Sequence, residues 1–224
     1  MMRGGWLSAN QVVWLLALGA MSSSVHPSIA AEIQTTQEDA VRRLLLRPVT
    51  QITAEQWQSV GDREGINESL IQLALNGDYD GKLRLRAIQA LAVFPTRRSQ
   101  QFLWQVVHDR VLDGSYKRTA LAALGAGFQA AVLLELSPYL RKEDPQLREG
   151  AIRGLGYIRD PRVLPILQNH VHQEQDLTLR MLVEESIARV QEAERIHEQK
   201  QLNRLIEMGT QGDALMNGLE GKEQ

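Results

Sequence analysis

The sequence predicts an all-α protein built from repeated pairs of helices. A 14-residue pattern occurs four times without gaps, and its four copies begin at aspartates that stand 33, 31 and 32 residues apart. Apolar residues recur at helical spacing between the copies, and no alternating strand pattern of useful length appears. The four aspartates are Asp80, Asp113, Asp144 and Asp176.

Each copy has the features of a helix that begins at its aspartate. We expect the aspartate side chain to cap the helix by accepting a backbone N–H, and Pro145 follows Asp144 at the position where proline is favoured. A base stands four residues after the aspartate, where the two can pair across one helical turn. These bases are Arg84, Lys117, Arg148 and Arg180. Apolar residues three, four and seven positions after the base predict one buried stripe per helix.

Other apolar segments at helical spacing precede the capped helices. We expect helices over residues 66–76, 97–112, 128–140 and 161–171, each paired with the capped helix that follows it. Two candidate capping boxes, opened by Thr36 and Thr53, predict helices that cover the exposed face of the first repeat.

The repeated unit, D-x-x-[LY]-[RK]-x-x-[AV]-[ILE]-x-[AGS]-[LI]-[AG], resembles the second helix of short HEAT-like repeats. The third copy is the best match, and the resemblance covers about residues 64–190. It implies a right-handed α-solenoid of about four helix pairs, with capping helices at both ends and the second helices on the concave side. Glu184 and Glu185 depart from the pattern in the last copy, as an end repeat would. Proteins of this kind mostly bind other proteins, and a minority, the bilin-lyase type, acts on chromophores of light-harvesting proteins.

The first thirty residues predict an export signal. They hold one charged side chain and an apolar run over residues 12–21, about half the roughly 20 residues that a membrane span needs. Small residues at Ser28 and Ala30 predict cleavage between Ala30 and Ala31. The mature protein is then exported, periplasmic or secreted, with no stable membrane span. The alternative is that residues 12–21 stay attached as a tether.

The composition sets further limits. Residues 31–63 are expected to be a linker with capping helices, 64–190 the repeats, 191–209 a charged C-terminal helix and 210–224 a disordered tail. The absence of cysteine excludes disulfides and thiolate metal sites, and a formal charge of -2 gives no electrostatic reason to expect binding to nucleic acid.

No catalytic residue, cofactor or metal is predicted. The segment Gly125–Ala130 matches G-x-G-x-x-A, but a repeat helix stands where a dinucleotide site needs a strand. His170 and His172 are two residues apart, so we expect a solvated loop rather than a metal site. The pairs Glu143–Asp144 and Glu184–Glu185 fit solvated helix ends better than a general acid/base pair.

Polar residues beside the buried stripe are the remaining candidates for function. They are Arg86, Gln89, Arg118, Glu149, Arg153 and Glu185. On a concave side they would form a binding face that is basic over the middle repeats and acidic at the last; the alternative is an ordinary solvated face. The sequence therefore favours an exported, non-catalytic scaffold that binds another protein. The alternatives are a bilin-lyase-like enzyme or chromophore chaperone, and a membrane-tethered envelope adaptor.

Overall fold

Every regular element over residues 27–220 is helical; these are the residues that the structure, a computed structural model, describes. The predicted all-α class is therefore confirmed for this part of the chain. The apolar run at residues 12–21 lies outside the described residues. The predicted cleavage bond between Ala30 and Ala31 lies in the first turns of the first described helix.

The helices form four consecutive pairs preceded by two N-terminal helices. In chain order, the α-helices over these residues are α1 (Pro27–Leu44), α2 (Ala54–Gln58), α3 (Arg63–Leu75), α4 (Gly81–Ala90), α5 (Arg97–His108), α6 (Gly114–Phe128), α7 (Leu133–Leu136), α8 (Pro145–Leu155), α9 (Val163–Val171) and α10 (Leu177–Glu220). Three 3-10 helices accompany them, at Val49–Gln51, Gln129–Val132 and Ser137–Arg141. The second helices α4, α6, α8 and α10 pack side by side and make one layer of an α-solenoid.

The four repeat aspartates begin the second helices. In each case one carboxylate oxygen accepts a backbone N–H two residues ahead, at 2.7–2.8 Å. Asp80 and Asp176 accept a second N–H from the residue three ahead. Because these bonds satisfy N–H groups that a helix start leaves free, the aspartates fix where each second helix begins.

The repeat bases do not pair with these aspartates, so the predicted pairing is wrong. The Nε of Arg84 donates to Ala74 O at 3.0 Å, and Arg180 donates to Glu174 O at 2.8 Å. Arg148 donates to two carbonyls, Lys142 O and Glu143 O. Side chains on a helix lean toward its N-terminus, and the aspartate carboxylates are already engaged by N–H groups. The arginines therefore continue past the helix start and bind the end of the preceding segment.

The predicted stripe forms the centre of the solenoid. The residues three positions after each base are fully buried: Ala87, Ala120, Ala151 and Val183. Seven positions after the base, Leu91, Leu124 and Leu155 are fully buried too. The pattern therefore identified the core side of all four second helices.

Glycines bring α6 and α8 into backbone contact. A Cβ on Gly154 would lie 2.6 Å from Leu121 O, and a Cβ on Gly150 would lie 2.8 Å from Arg118 O. A Cβ on Gly125 would overlap the backbone of Gly154. The two helices can cross at this distance only because these positions lack side chains.

The first helix of the third repeat is interrupted, whereas one helix was predicted over 128–140. α6 ends at Phe128, and Gln129 has a φ of 53°, which turns the chain sharply. The Gln129 Nε2 donates to Ala126 O at 2.8 Å and to Tyr157 O at 3.2 Å, and its Oε1 accepts from Arg159 N–H at 3.0 Å. This side chain joins the second repeat to the third and holds the turn that breaks the helix.

Two other first helices are shorter than predicted. α5 ends at His108 rather than at residue 112, because the Asp109 carboxylate accepts the N–H groups of Val111 and Leu112 in a loop. α9 begins at Val163 rather than at residue 161, after Asp160 has bound the backbone N–H of Arg162.

The N-terminal end of the stack is covered by α1, which packs on α3 and buries Val41 and Leu45 completely. Thr53 opens α2 with the predicted capping box. The box predicted at Thr36 is wrong, because α1 already runs through this residue from Pro27.

The C-terminal end of the stack is closed by polar residues. Four positions after the base, Ile88, Leu121 and Ile152 are buried in the first three repeats, whereas Glu184 is exposed in the fourth. α10 continues to Glu220 without a break at the predicted junction of residues 209 and 210. Each side chain described beyond Glu194 is exposed, so this part of α10 extends away from the repeats.

One described stretch, residues 114–141, is long and apolar enough for a membrane span by length and composition. In the solenoid it comprises α6 and the interrupted segment after it, and five of its six leucines lie in the core, whereas Leu134 is exposed. Leu121, Leu124, Leu133 and Leu136 are all at most 1% exposed. Its apolar composition is therefore that of a core segment.

Candidate functional site

Equivalent positions of the second helices form one outward surface, which we call the second-helix face. It consists of the residues one, five and nine positions after each repeat base. These are Leu85, Gln89 and Val93; Arg118, Ala122 and Ala126; Glu149, Arg153 and Tyr157; and Met181, Glu185 and Arg189. None of the twelve is buried. The repeat register therefore places five of the six predicted binding residues on one surface.

A charge cluster lies at the middle of this face. Glu149 accepts from Arg118 at 3.1 Å through Oε2 and from Arg153 at 2.9 Å through Oε1. Glu149 is 17% exposed, and Arg153 is 42% exposed. Two bases share one carboxylate, so the cluster carries one net positive charge where a more basic surface was expected.

The last repeat contributes a second pair. Arg189 binds Glu185 through an ion pair at 2.6 Å and lies over the ring of Tyr157, with its guanidinium carbon 5.3 Å from the ring centre. The acidic end predicted from Glu185 is therefore neutralised by its own helix. Gln89 is exposed on α4 and adds an uncharged polar group.

Arg86 does not belong to the face. It stands two positions after its base, and its guanidinium donates to Leu45 O and Leu46 O, each at 2.9 Å. These carbonyls follow the end of α1. Arg86 therefore attaches the N-terminal helix to the first repeat, which corrects its assignment as a binding residue.

Exposed apolar side chains on the face were missed. Val93 is 47% exposed, Tyr157 44% and Met181 63%; Leu177, one turn before Met181, is 67% exposed. Helical periodicity does not identify these side chains as exposed, because they are apolar and stand next to positions that are buried. A comparison of equivalent positions across the four copies would have found them, since Met181 takes the place of Arg118 and Glu149.

A buried polar cluster lies where the third repeat meets the fourth. Glu174 and His170 are at most 6% exposed, and Arg148 donates to both carboxylate oxygens of Glu174, at 2.9 and 3.3 Å. The N–H of Asp176 also donates to Glu174, at 3.0 Å. Arg148 therefore joins two loops: it binds the loop before α8 through the carbonyls of Lys142 and Glu143, and the loop before α10 through the Glu174 carboxylate.

The cluster shifts two pKa values. Burial acts to raise the pKa of Glu174, but the hydrogen bonds from Arg148 and from Asp176 N–H outweigh it, so the pKa lies below its usual value. Burial lowers the pKa of His170 against the opposing effect of Glu174. The expectation of a solvated loop therefore fails for His170, while His172 is exposed.

The other candidates for chemistry have structural roles. Gly125 lies inside α6, and no strand precedes it in the described residues. Asp144 caps α8, and its neighbour Glu143 is exposed. Over the part of the chain that the structure describes, no group of three or more His, Asp and Glu side chains could hold a metal ion.

Residues 110–188 match the family model for HEAT repeats. This segment is similar to HEAT repeats. It begins after α5, so it covers the second helix of the second repeat, the whole third repeat and the fourth repeat as far as residue 188, and it includes the Arg118–Glu149–Arg153 cluster. A chain from the complex of CpcE and CpcF of phycocyanin lyase from Nostoc sp. PCC7120 is similar at 16% identity, with a TM-score of 0.43. The similarity covers 66% of this protein and 98% of that chain. No curated protein matches the sequence.

Proposed function

We propose that the protein is an exported, non-catalytic scaffold that binds another protein through the second-helix face. The observation that carries the proposal is the continuity of this face, on which none of the equivalent positions of four neighbouring helices is buried. Helical repeat proteins use such extended surfaces for binding.

The composition of the face supports a protein partner. Exposed Tyr157 and Met181 supply apolar contact area, and ion-paired Arg153 and Arg189 lie beside them. Aromatic residues, methionine and arginine are enriched in protein interfaces relative to the remaining surface. Because Arg118 and Arg153 are already held by Glu149, little side-chain freedom is lost when a partner binds.

A pair of variants tests the binding face. Arg153→Ala removes a charge from the centre of the face, and Arg110→Ala removes one from an exposed loop between α5 and α6. We expect a partner from the envelope fraction to be retained by the wild type and by Arg110→Ala, and to be lost or weakened with Arg153→Ala. Equal retention by all three proteins would contradict the proposed face.

Export rests on the apolar run at residues 12–21 and on the small residues Ser28 and Ala30. N-terminal sequencing of the exported protein should begin at Ala31 or within two residues of it. A cytoplasmic protein with intact Met1 would contradict export, and an intact protein in the membrane fraction would favour the tethered adaptor.

The bilin-lyase type of repeat protein remains the alternative that the sequence resemblance implies. It predicts a covalent chromophore adduct when the protein is incubated with a bilin and an apo-phycobiliprotein subunit. Absorbance of the denatured acceptor subunit distinguishes covalent attachment from reversible binding. A scaffold gives no adduct above the rate seen without the protein.

A further inference from the structure

The C-terminal ends of the second helices lie side by side on the second-helix face. A Cβ on Gly127, near the end of α6, would lie 3.0 Å from Ala92 O, so the two chain segments are in backbone contact. The Gln129 side chain donates to Tyr157 O, and Arg189 lies over the Tyr157 ring. The face residues nine positions after each base therefore form one row across the four helices. We call it the end row; it consists of Val93, Ala126, Tyr157 and Arg189.

The end row is apolar over the first three repeats. Val93 and Tyr157 are each nearly half-exposed, and the small side chain of Ala126 stands between them on α6. Ala122, one turn before Ala126, is small as well. An apolar segment that crosses these helices along the end row therefore contacts large side chains on both sides and can approach α6 between them.

Arg153, one turn before Tyr157, has donors that the protein does not use. Its Nε donates to Glu149, whereas its Nη1 and Nη2 have no partner in the part of the chain that the structure describes. Glu149 is engaged through both oxygens, by Arg153 and by Arg118, and so holds the guanidinium in position. The free edge of a guanidinium held in this way can bind a carboxylate through two parallel hydrogen bonds.

The charge of the second-helix face favours an acidic partner. Its twelve residues include three arginines and two glutamates, a net charge of +1, whereas the whole chain has a formal charge of -2. Glu185 is the exposed acid of the face and lies on α10, where Arg189 binds one of its oxygens. An acidic side chain is therefore attracted over α8, at Arg153, and is repelled over α10.

We infer that the second-helix face binds a segment of a partner protein that places an acidic side chain against Arg153 and apolar side chains along the end row from Val93 to Tyr157. This inference rests on the proposed function, because it names the chemistry of the partner that the same face takes. Tyrosine and arginine are the residue types that most often dominate binding energy in protein interfaces, and here they stand one helical turn apart.

Selection of peptides on the full-length protein tests this chemistry with a defined probe, a random library of 12-residue peptides displayed on phage. The axes of the first and third of three neighbouring helices lie about 16–20 Å apart, and an extended chain rises about 3.3 Å per residue, so these peptides are long enough. We expect enriched peptides to carry Asp or Glu beside apolar residues. Selection on Arg153→Glu should enrich Lys or Arg instead. Arg110→Glu, in the exposed loop between α5 and α6, should give the wild-type result.

A synthetic peptide from the wild-type selection tests the contact with Arg153 itself. Fluorescence anisotropy compares this peptide with one in which the acidic residue is replaced by its amide. The replacement should weaken binding to the wild type about tenfold, because charged hydrogen bonds are lost. With Arg153→Gln it should weaken binding less than about twofold, since the partner of the acid is already absent. Circular dichroism confirms that the variants are folded, and Tyr157→Ala reports whether the peptide lies on the face.

The outcomes distinguish this inference from the proposed function. Acidic peptides that lose affinity with Arg153→Gln and with Tyr157→Ala support the inference. Peptides that need Tyr157 but show no preference for an acid, or no coupling of the acid to Arg153, overturn the inference and leave the proposed face intact. Peptides that bind all variants equally contradict the face as well as the inference. If no peptide is enriched, the inference is overturned, and the retention experiment with the envelope fraction decides separately on the proposed function.

Discussion

The contact between α6 and α8 predicts that Gly154→Ala destabilises the protein although alanine is the better helix former. A Cβ on Gly154 would lie 2.6 Å from Leu121 O and 3.3 Å from Cδ1 of Leu136. The first neighbour is backbone and cannot rotate away. To restore an ordinary contact of 3.4 Å, the two helices must separate by 0.8 Å at this point.

The size of the effect follows from two opposing terms. Replacement of a helical glycine by alanine stabilises a helix by about 1 kcal/mol. Overpacking of a core costs about 1–3 kcal/mol, and a rigid neighbour places this site near the upper end. A gap of 0.5–1 Å between packed surfaces forfeits a quarter to a half of their dispersion attraction. We therefore expect a net loss of about 2 kcal/mol, which for a chain of this size lowers Tm by about 4–8 °C.

Urea unfolding followed by circular dichroism measures this loss. Gly77→Ala is the matched control, because Gly77 lies in a loop and a Cβ there meets nothing within 4 Å. It should change the free energy of unfolding by less than about 0.5 kcal/mol. If Gly154→Ala proves as stable as the wild type or more stable, the reasoning about the helix crossing is wrong.

Three further predictions concern the repeats. Leu155→Ala should lower the free energy of unfolding in urea by about 2–5 kcal/mol, because Leu155 is fully buried. Arg153→Ala should lower it by less than about 0.5 kcal/mol, because Arg153 is 42% exposed. The reverse order of the two losses would refute the helix register. Gln129→Ala should lower the free energy of unfolding by about 1–3 kcal/mol, because the hydrogen bonds of the Gln129 side chain are lost. Gln129→Gly loses the same bonds but should cost less, because glycine adopts the positive φ of this residue without strain. Equal losses in the two variants would show that the positive φ carries no strain. Because burial lowers the pKa of His170 below 6.5, its contribution to stability is complete above pH 6.5 and decreases as the pH falls toward its folded pKa. His170→Gln should flatten the stability profile in that window, measured by urea midpoints, and an unchanged slope would contradict the assignment.

The sequence contained enough information for the fold because the repeat is local. Asp144 and Pro145 define a helix start through neighbouring backbone groups, and the stripe that ends at Leu155 has the period of one helix. What failed depends on contacts between distant segments. Nothing near Arg86 in the sequence indicates that it reaches Leu45, 41 residues away. Local spacing alone favoured pairs between the aspartates and bases that the structure does not contain.

The candidate site was predictable only in part for the same reason. Arg118, Glu149 and Arg153 follow from the helical pattern, but the ion pair between Arg118 and Glu149 depends on how closely α6 approaches α8. That approach is set by Gly125, Gly150 and Gly154, and their spacing along the chain does not indicate which helix they contact. His170 was misjudged because it lies in the last turn of α9, where it is buried beside Glu174 of the following loop, and that carboxylate is bound by Arg148 of α8.

The exposed position of Glu184 gives the fourth repeat a charged end surface. In the first three units the equivalent residue is apolar and buried, so each of these units offers a surface on which another can stack. A carboxylate at this position in the fourth unit makes a fifth unit unfavourable, because a buried charge would need a partner. The same residue also opposes end-to-end association of separate molecules, which for head-to-tail contacts would grow into open filaments. The charge of one side chain thus acts against both the stacking of a further unit and the association of separate molecules at this end.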